Sequence, residues 1–271
     1  FFINHNLESI CYLICMSSIM DLFMSGHSKW SQIKRKKGLK DQQRGLLFSK
    51  LSRLISIAIA ESGIADPSNN LKLRMAISQA KNANMPKENI TRAIEKGSGP
   101  DKSTLQEHIY EGFGPEGTVF LIYVTTDNQN RTFTDIKHSF EKNNGKVGSK
   151  GSVSYLFKKC GIVVVNKTQE KEEAVFKFAD EIGCFDIDED KDHYFLYFPF
   201  ENIGKAHEIK ILNTEVSPEM DFKPLSYVKI KEPEVAKKVL NLVSHLENCE
   251  DVHKVFSNFD ISEDIMHNLE V

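Results

Sequence analysis

At about 150 residues per domain, a chain of 271 residues holds two domains or three small ones and is long enough to bury a proper core. With 40% apolar and 27% charged residues, 15 Gly and 8 Pro, its composition excludes the collagen-like, coiled-coil and low-complexity classes, and no uncharged apolar run is long enough for a membrane-spanning helix. The net charge of −3 hides a division, because residues 24–100 carry 15 basic against 5 acidic side chains, whereas residues 101–271 carry 20 against 31.

Residues 1–23 are apolar, begin with Phe and lack Lys and Arg, a pattern that suits neither a secretory signal nor an organelle presequence. They read as an extraneous or disordered extension, with Met24 as the expected start. From Ser28 to Lys40 the chain packs Lys29, Lys34, Arg35, Lys36, Lys37 and Lys40 around Trp30, with too little apolar surface to bury itself. Leu47, Leu51, Leu54 and Ala58 then predict an amphipathic helix over 41–62, with Arg44, Lys50 and Arg53 on its other side. Asp66-Pro67 breaks it, and a second helix runs from about Leu71 to before Asn84. Pro86 opens a third, 86–96, which Gly97 is expected to stop. Three short-linked helices make a small bundle, closed by the linker GSGPDKS at 97–103.

Beyond 103 the period changes to two. His108–Tyr110 and Thr118–Thr126 read as strands around EGFGPEG, 130–143 as a helix, and Ser152–Phe157 as a strand. Residues 160–224 then run strand, helix, strand, strand, helix, strand, the order of a ferredoxin-like unit. The remaining strand, helix and strand up to Phe256 make no complete domain alone and are expected to return to the domain begun at 104. The fold class is therefore α+β in three domains: a basic helical domain at 24–103, an α+β domain at 104–157 and 225–271, and a ferredoxin-like βαββαβ domain inserted at 158–224.

Chemical signatures are few. Gly112-Phe113-Gly114-Pro115-Glu116-Gly117 spells G-x-G-x-x-G, but a strand follows where a dinucleotide site needs a helix N-terminus, so a hairpin turn is expected. Asp186, Asp188, Asp190 and Asp192 resemble the start of a calcium loop, yet Lys191 stands at the sixth position and Tyr197 at the twelfth, which favours a solvated acidic hairpin. The histidines show no metal-ligand spacing, and no nucleophile motif occurs. Cys11, Cys15, Cys160, Cys184 and Cys249 are scattered, without a CxxC pair, as befits a reducing cytoplasm. The expectation is a binding protein, not an enzyme, with no metal and no cofactor; a saturable small-molecule ligand in the 104–157 domain would instead mark an enzyme.

The strongest signal is the basic region. A cationic arm neutralises phosphates and releases counterions, and Trp30 can stack on a base. Lys29, Trp30, Lys34, Arg35, Lys36, Lys37, Lys40, Arg44, Lys50 and Arg53 are the candidate contacts, and with no base-reading motif the backbone would dominate.

The stretches GHSKWSQIKRKKGLKDQQRGLLFSKLSR (26–53), NANMPKENITRAIEKGSG (82–99), YEGFGPEGT (110–118), TDNQNRT (126–132), GSVSYLF (151–157) and LENCEDVHKVFSN (246–258) together resemble the YebC/PmpR family, which includes a mitochondrial translational activator of cytochrome c oxidase. The likeness runs from Met24 to the C-terminus. It implies the same three domains and a cytoplasmic gene-expression factor: a DNA-binding transcriptional regulator, or a translation factor that binds ribosomal RNA and helps the ribosome through proline-rich stretches. It also picks out Tyr110, Gly112, Gly114, Asn130 and Arg131, without a chemical role. Duplex DNA, or ribosomal RNA and the ribosome, is thus the expected partner, with no membrane.

Overall fold

A computed structural model describes residues 41–99, 105–214 and 216–269. The extension at 1–23 and the linker's Pro100–Ser103 lie outside them.

Helix α1 (Asp41–Ser62) buries Leu51, Leu54, Ile55, Ala58 and Ile59, the face that the spacing predicts. It stops at Gly63, whose φ of +71° suits a residue without Cβ and whose N–H bonds the Ile59 carbonyl at 2.7 Å. Buried Asn70 caps α2 (Leu71–Asn82) by accepting from the Leu73 N–H, and its Nδ2 donates back to the Ala58 and Ile64 carbonyls. Helix α3 (Lys87–Ser98) follows Pro86. Gly97 does not stop this helix but lies within it, buried against α1. A Cβ there would sit 3.0 Å from the Cα and carbonyl oxygen of Ser56, so the residue serves a close crossing of two helices, not a terminus.

Strands β1 (Gln106–Phe113) and β2 (Val119–Thr126) form an antiparallel hairpin in register from Gln106↔Thr126 to Phe113↔Val119. Helix α4 (Gln129–Lys142) is capped by Asn128, and β3 (Lys146–Val147) adds to the free edge of β1. The strand expected at Ser152–Phe157 is not one: Ser154–Leu156 is a single 3₁₀ turn. The N–H groups of Gly151, Val153 and Ser154 donate to the Glu111 carboxylate at 2.6, 2.6 and 3.0 Å, so a side chain takes the donors that a neighbouring strand would have used.

The inserted unit comprises β4 (Phe157–Asn166), α5 (Glu172–Glu181), β5 (Asp186–Glu189), β6 (His193–Pro199), α6 (Ile203–Glu208) and β7 (Glu219–Pro224). Its sheet has the order β5-β6-β4-β7, all antiparallel, which is the ferredoxin-like arrangement. Helix α6 ends at Glu208. Buried Glu170 accepts from the backbone N–H groups of Asn213 and Thr214 and draws that segment off the helix. The chain returns through β8 (Val228–Ile230), α7 (Pro233–Asn248), β9 (Val252–Ser257), β10 (Phe259–Ile261) and α8 (Glu263–Asn268). Strand β9 pairs antiparallel with β2, giving the first sheet the order β3-β1-β2-β9, and β10 runs parallel to β8.

Strand β2 is buried along its whole length because both faces are covered. Phe120, Ile122 and Val124 face α4 and α7, whereas Val119, Leu121 and Tyr123 face Leu54, Ile55, Leu73 and Ala80 of the helical unit. The bundle therefore has no core of its own; its apolar face is laid on the sheet. The inserted unit closes a separate core around Val163, Phe178, Leu196 and Phe198.

Candidate nucleic-acid interface

Lys29, Trp30, Lys34, Arg35, Lys36, Lys37 and Lys40 lie outside the described residues, and α1 opens at Asp41, directly after them. Along α1 the basic side chains divide. Arg44, in the first turn, is exposed. Lys50 donates from Nζ to the Glu247 carbonyl near the end of α7. Arg53 reaches the Asp251 carboxylate and the Thr125 carbonyl through Nη1 and Glu250 through Nη2, with only 20% of its side chain exposed. Lys50 and Arg53 thus fasten the helix to the body. Lys81 of α2 and Lys87, Arg92 and Lys96 of α3 extend the exposed basic surface.

The family motifs gather around two acidic residues. Asp251, 5% exposed, accepts from Arg53, from Arg131 Nη2 at 2.9 Å and from Thr132 Oγ1 at 2.7 Å, with Thr126 Oγ1 at 3.3 Å. Arg131 also holds Asp127 at 2.8 Å. Burial pushes the Asp251 carboxyl up, but bonds from Thr132, Arg131 and Arg53 outweigh it and hold the group below the usual carboxylate range. Asn130 is exposed on α4, and the Tyr110 hydroxyl meets the Gln129 carbonyl at 3.3 Å.

Gly112 and Gly114 are steric positions. A Cβ on Gly112 would lie 2.3 Å from the Phe140 ring, and one on Gly114 would lie 2.5 Å from the Phe120 ring. Between Tyr110 and Gly112, Glu111 is 4% exposed; burial pushes its carboxyl up, and bonds from Val153, Gly151 and Ser154 more than reverse that.

Sequence reasoning singles out Arg131 and the glycines and misses Glu111 and Asp251, on which the cluster turns. One signal was there: each acid occupies a strand or strand-edge position where an apolar residue is the default.

The G-x-G-x-x-G letters close the β1–β2 hairpin through a 3₁₀ turn at Pro115–Gly117, with φ of +54° at Glu116 and +74° at Gly117, and β2 follows. The acidic run forms the β5–β6 hairpin, but it is not simply solvated. Asp188 is 9% exposed and pairs with Lys223 at 3.0 Å, and Lys223 also pairs with Asp186 at 2.9 Å. Among the described residues no group of three or more His, Cys, Asp or Glu is placed to hold a metal ion, and no helix is long and apolar enough to cross a membrane.

A helical unit laid on a four-stranded sheet, with a ferredoxin-like unit inserted before the last strand of that sheet, defines a three-domain α+β protein with a basic leading helix. The chain belongs to the TACO1/YebC family: residues 28–100 match the family's N-terminal domain and residues 105–259 its second and third domain. A relative from Rubrobacter xylanophilus, named "Probable transcriptional regulatory protein", is 43% identical over 248 residues, 90% of this chain and 98% of its own. One of the same description from Desulfotalea psychrophila is 43% identical over 253 residues, 91% of this chain and 99% of its own. The crystal structure of a conserved hypothetical protein from Aquifex aeolicus superposes with a TM-score of 0.76 at 40% identity, covering 82% of this chain and 93% of that one.

Proposed function

We propose that this protein is a nucleic-acid-binding regulator of gene expression, that duplex DNA is its target, and that the cationic segment Lys29–Lys40 with the first turn of α1 is its contact surface. The observation that carries this is the run of Lys34, Arg35, Lys36, Lys37 and Lys40 leading directly into α1, which Lys50 and Arg53 further along fasten to the body. Residues 24–103 act as the binding domain, and the acidic segments 104–157, 225–271 and 158–224 carry it and offer a docking surface for protein. The relatives' names support regulation of transcription. Contacts of this kind neutralise phosphates and position the protein without reading bases.

The test is a filter-binding titration of the full chain against salt. Replacing Lys34, Arg35, Lys36 and Lys37 together by Ala should weaken binding to all duplex sequences alike and flatten the log K against log salt slope by about 0.9 for each phosphate no longer neutralised. Trp30→Ala should lower affinity for single strands with the slope nearly fixed, because stacking releases no counterions. Unchanged affinity of the four-Ala variant would move the contact surface elsewhere. Preference for ribosomal RNA, with co-sedimentation on ribosomes, would move the site of action from transcription to translation.

A further inference from the structure

A cavity of about 440 Å³ lies where the three units meet. Leu54 and Met75 line it from the helical unit, Tyr123 and His253 from the four-stranded sheet, and Phe200 and Met220 from the inserted unit and its approaches. Its volume falls within the range of small-molecule sites. Charges at its wall are balanced and already engaged. Lys72 pairs with Glu107 at 2.7 Å, Glu219 with Lys254 at 3.6 Å, and Lys159 sits over the Phe200 ring at 3.9 Å.

Two polar atoms in this wall are buried without a hydrogen bond among the described residues, Glu107 Oε1 and His253 Nδ1, and only the first has an ion-pair partner, Lys72. Burial, helped by the charges of Lys254 and Lys50, pulls the imidazole down to about 3, so the ring is neutral and offers a nitrogen lone pair or an N–H, not a charge. The ring is steadied edge-on against Tyr123 at 5.5 Å. Buried polar atoms without a partner are rare in folded proteins and call for one.

These features select among ligands by exclusion. An anion would meet Glu107 and Glu219 with both lysines occupied, and a cation would compete with Lys72 and Lys159. A hydrocarbon would leave Nδ1 unsatisfied. We propose that the junction binds a small neutral nitrogen heterocycle, with its ring body against Met75, Phe200 and Met220 and its ring N–H or ring nitrogen paired with His253. Thioethers of this kind adapt to planar rings. Because all three units line the site, occupancy would bind them into one arrangement and favour it over others.

The test uses the full chain labelled with [methyl-¹³C]methionine. Met75 and Met220 report on the cavity, and Met85 and Met266, buried in other parts of the core, serve as references. Benzimidazole, which carries both a ring N–H and a ring nitrogen and so satisfies either imidazole tautomer, should shift Met75 and Met220 saturably with Kd of about 1 mM and leave the references still. Indene, the hydrocarbon of the same shape, should bind at least about tenfold more weakly. His253→Phe, which keeps a ring against Tyr123, should erase that difference. No saturable shift at Met75 and Met220, or equal binding of the two probes to the wild-type chain, would overturn the proposal, and the wild-type comparison decides it even if the variant fails to fold.

Discussion

At the scale of single residues, Glu111 shows how one side chain can decide a segment. Its carboxylate takes three backbone N–H groups from 151–154, so that loop is held by charge-assisted bonds where alternation in Ser152–Phe157 promised a ladder. Glu111→Gln keeps the shape but turns an acceptor into a donor facing donors, and should cost about 2 kcal/mol at neutral pH. The folded carboxyl lies below its unfolded value, so the stabilisation is complete above the unfolded pKa of about 4.3 and is lost as pH falls through the folded one. Urea unfolding of wild type and variant should therefore show a gap in stability that is constant near neutrality and begins to shrink below about pH 4. A gap that does not shrink as the pH falls below about 4 would mean that shape, not charge, holds the loop.

At the scale of elements, legibility followed the range of the interactions. Helices α1 to α4 were plain because Leu51, Leu54, Ala58, Ile90, Ala93, Ile136 and Phe140 repeat at helical spacing, and the ferredoxin-like order was plain because each strand is bounded by its own turn residues. What was hidden depends on partners far along the chain. Gly97 is set by Ser56, the 151–154 loop by Glu111, and the end of α6 by Glu170. The partners of two of the ten candidate contacts were hidden likewise: nothing near Lys50 or Arg53 announces Glu247 or Asp251, almost two hundred residues later. That long bridge gives a test. A double-mutant cycle of Arg53→Met with Asp251→Asn should return a coupling of about 1–3 kcal/mol in denaturant melts, above the roughly 1 kcal/mol ceiling of exposed pairs, because Asp251 is buried and also serves Arg131 and Thr132. Simple additivity of the two single variants would remove Arg53 from the fastening between α1 and the body.

For the whole molecule, the shared core around β2 makes the helical unit and the sheet one cooperative body. Leu121→Ala removes a fully buried side chain from the face that meets α1 and α2 and should cost about 2–5 kcal/mol. Hydrogen exchange should then show protection falling together at Ile55, Leu73 and Ile122; protection kept at Ile55 and Leu73 would mean that the bundle stands alone. The inserted unit bears on a different matter, the order of assembly. Its two ends meet, with Phe157 opposite Pro224 and the Leu225 N–H on the Leu156 carbonyl at 2.9 Å, while the strand that completes the first sheet, β9, comes only after it. If the insert folds first, it takes about half of the chain between β2 and β9 out of the loop that this pairing must close. The entropy recovered by halving such a loop is only about 0.6 kcal/mol, or roughly threefold in rate. Joining β9 to β2 thus remains a long-range search whichever part folds first, and during synthesis the outer edge of β2 waits uncovered until Val252–Ser257 has emerged, more than a hundred residues later.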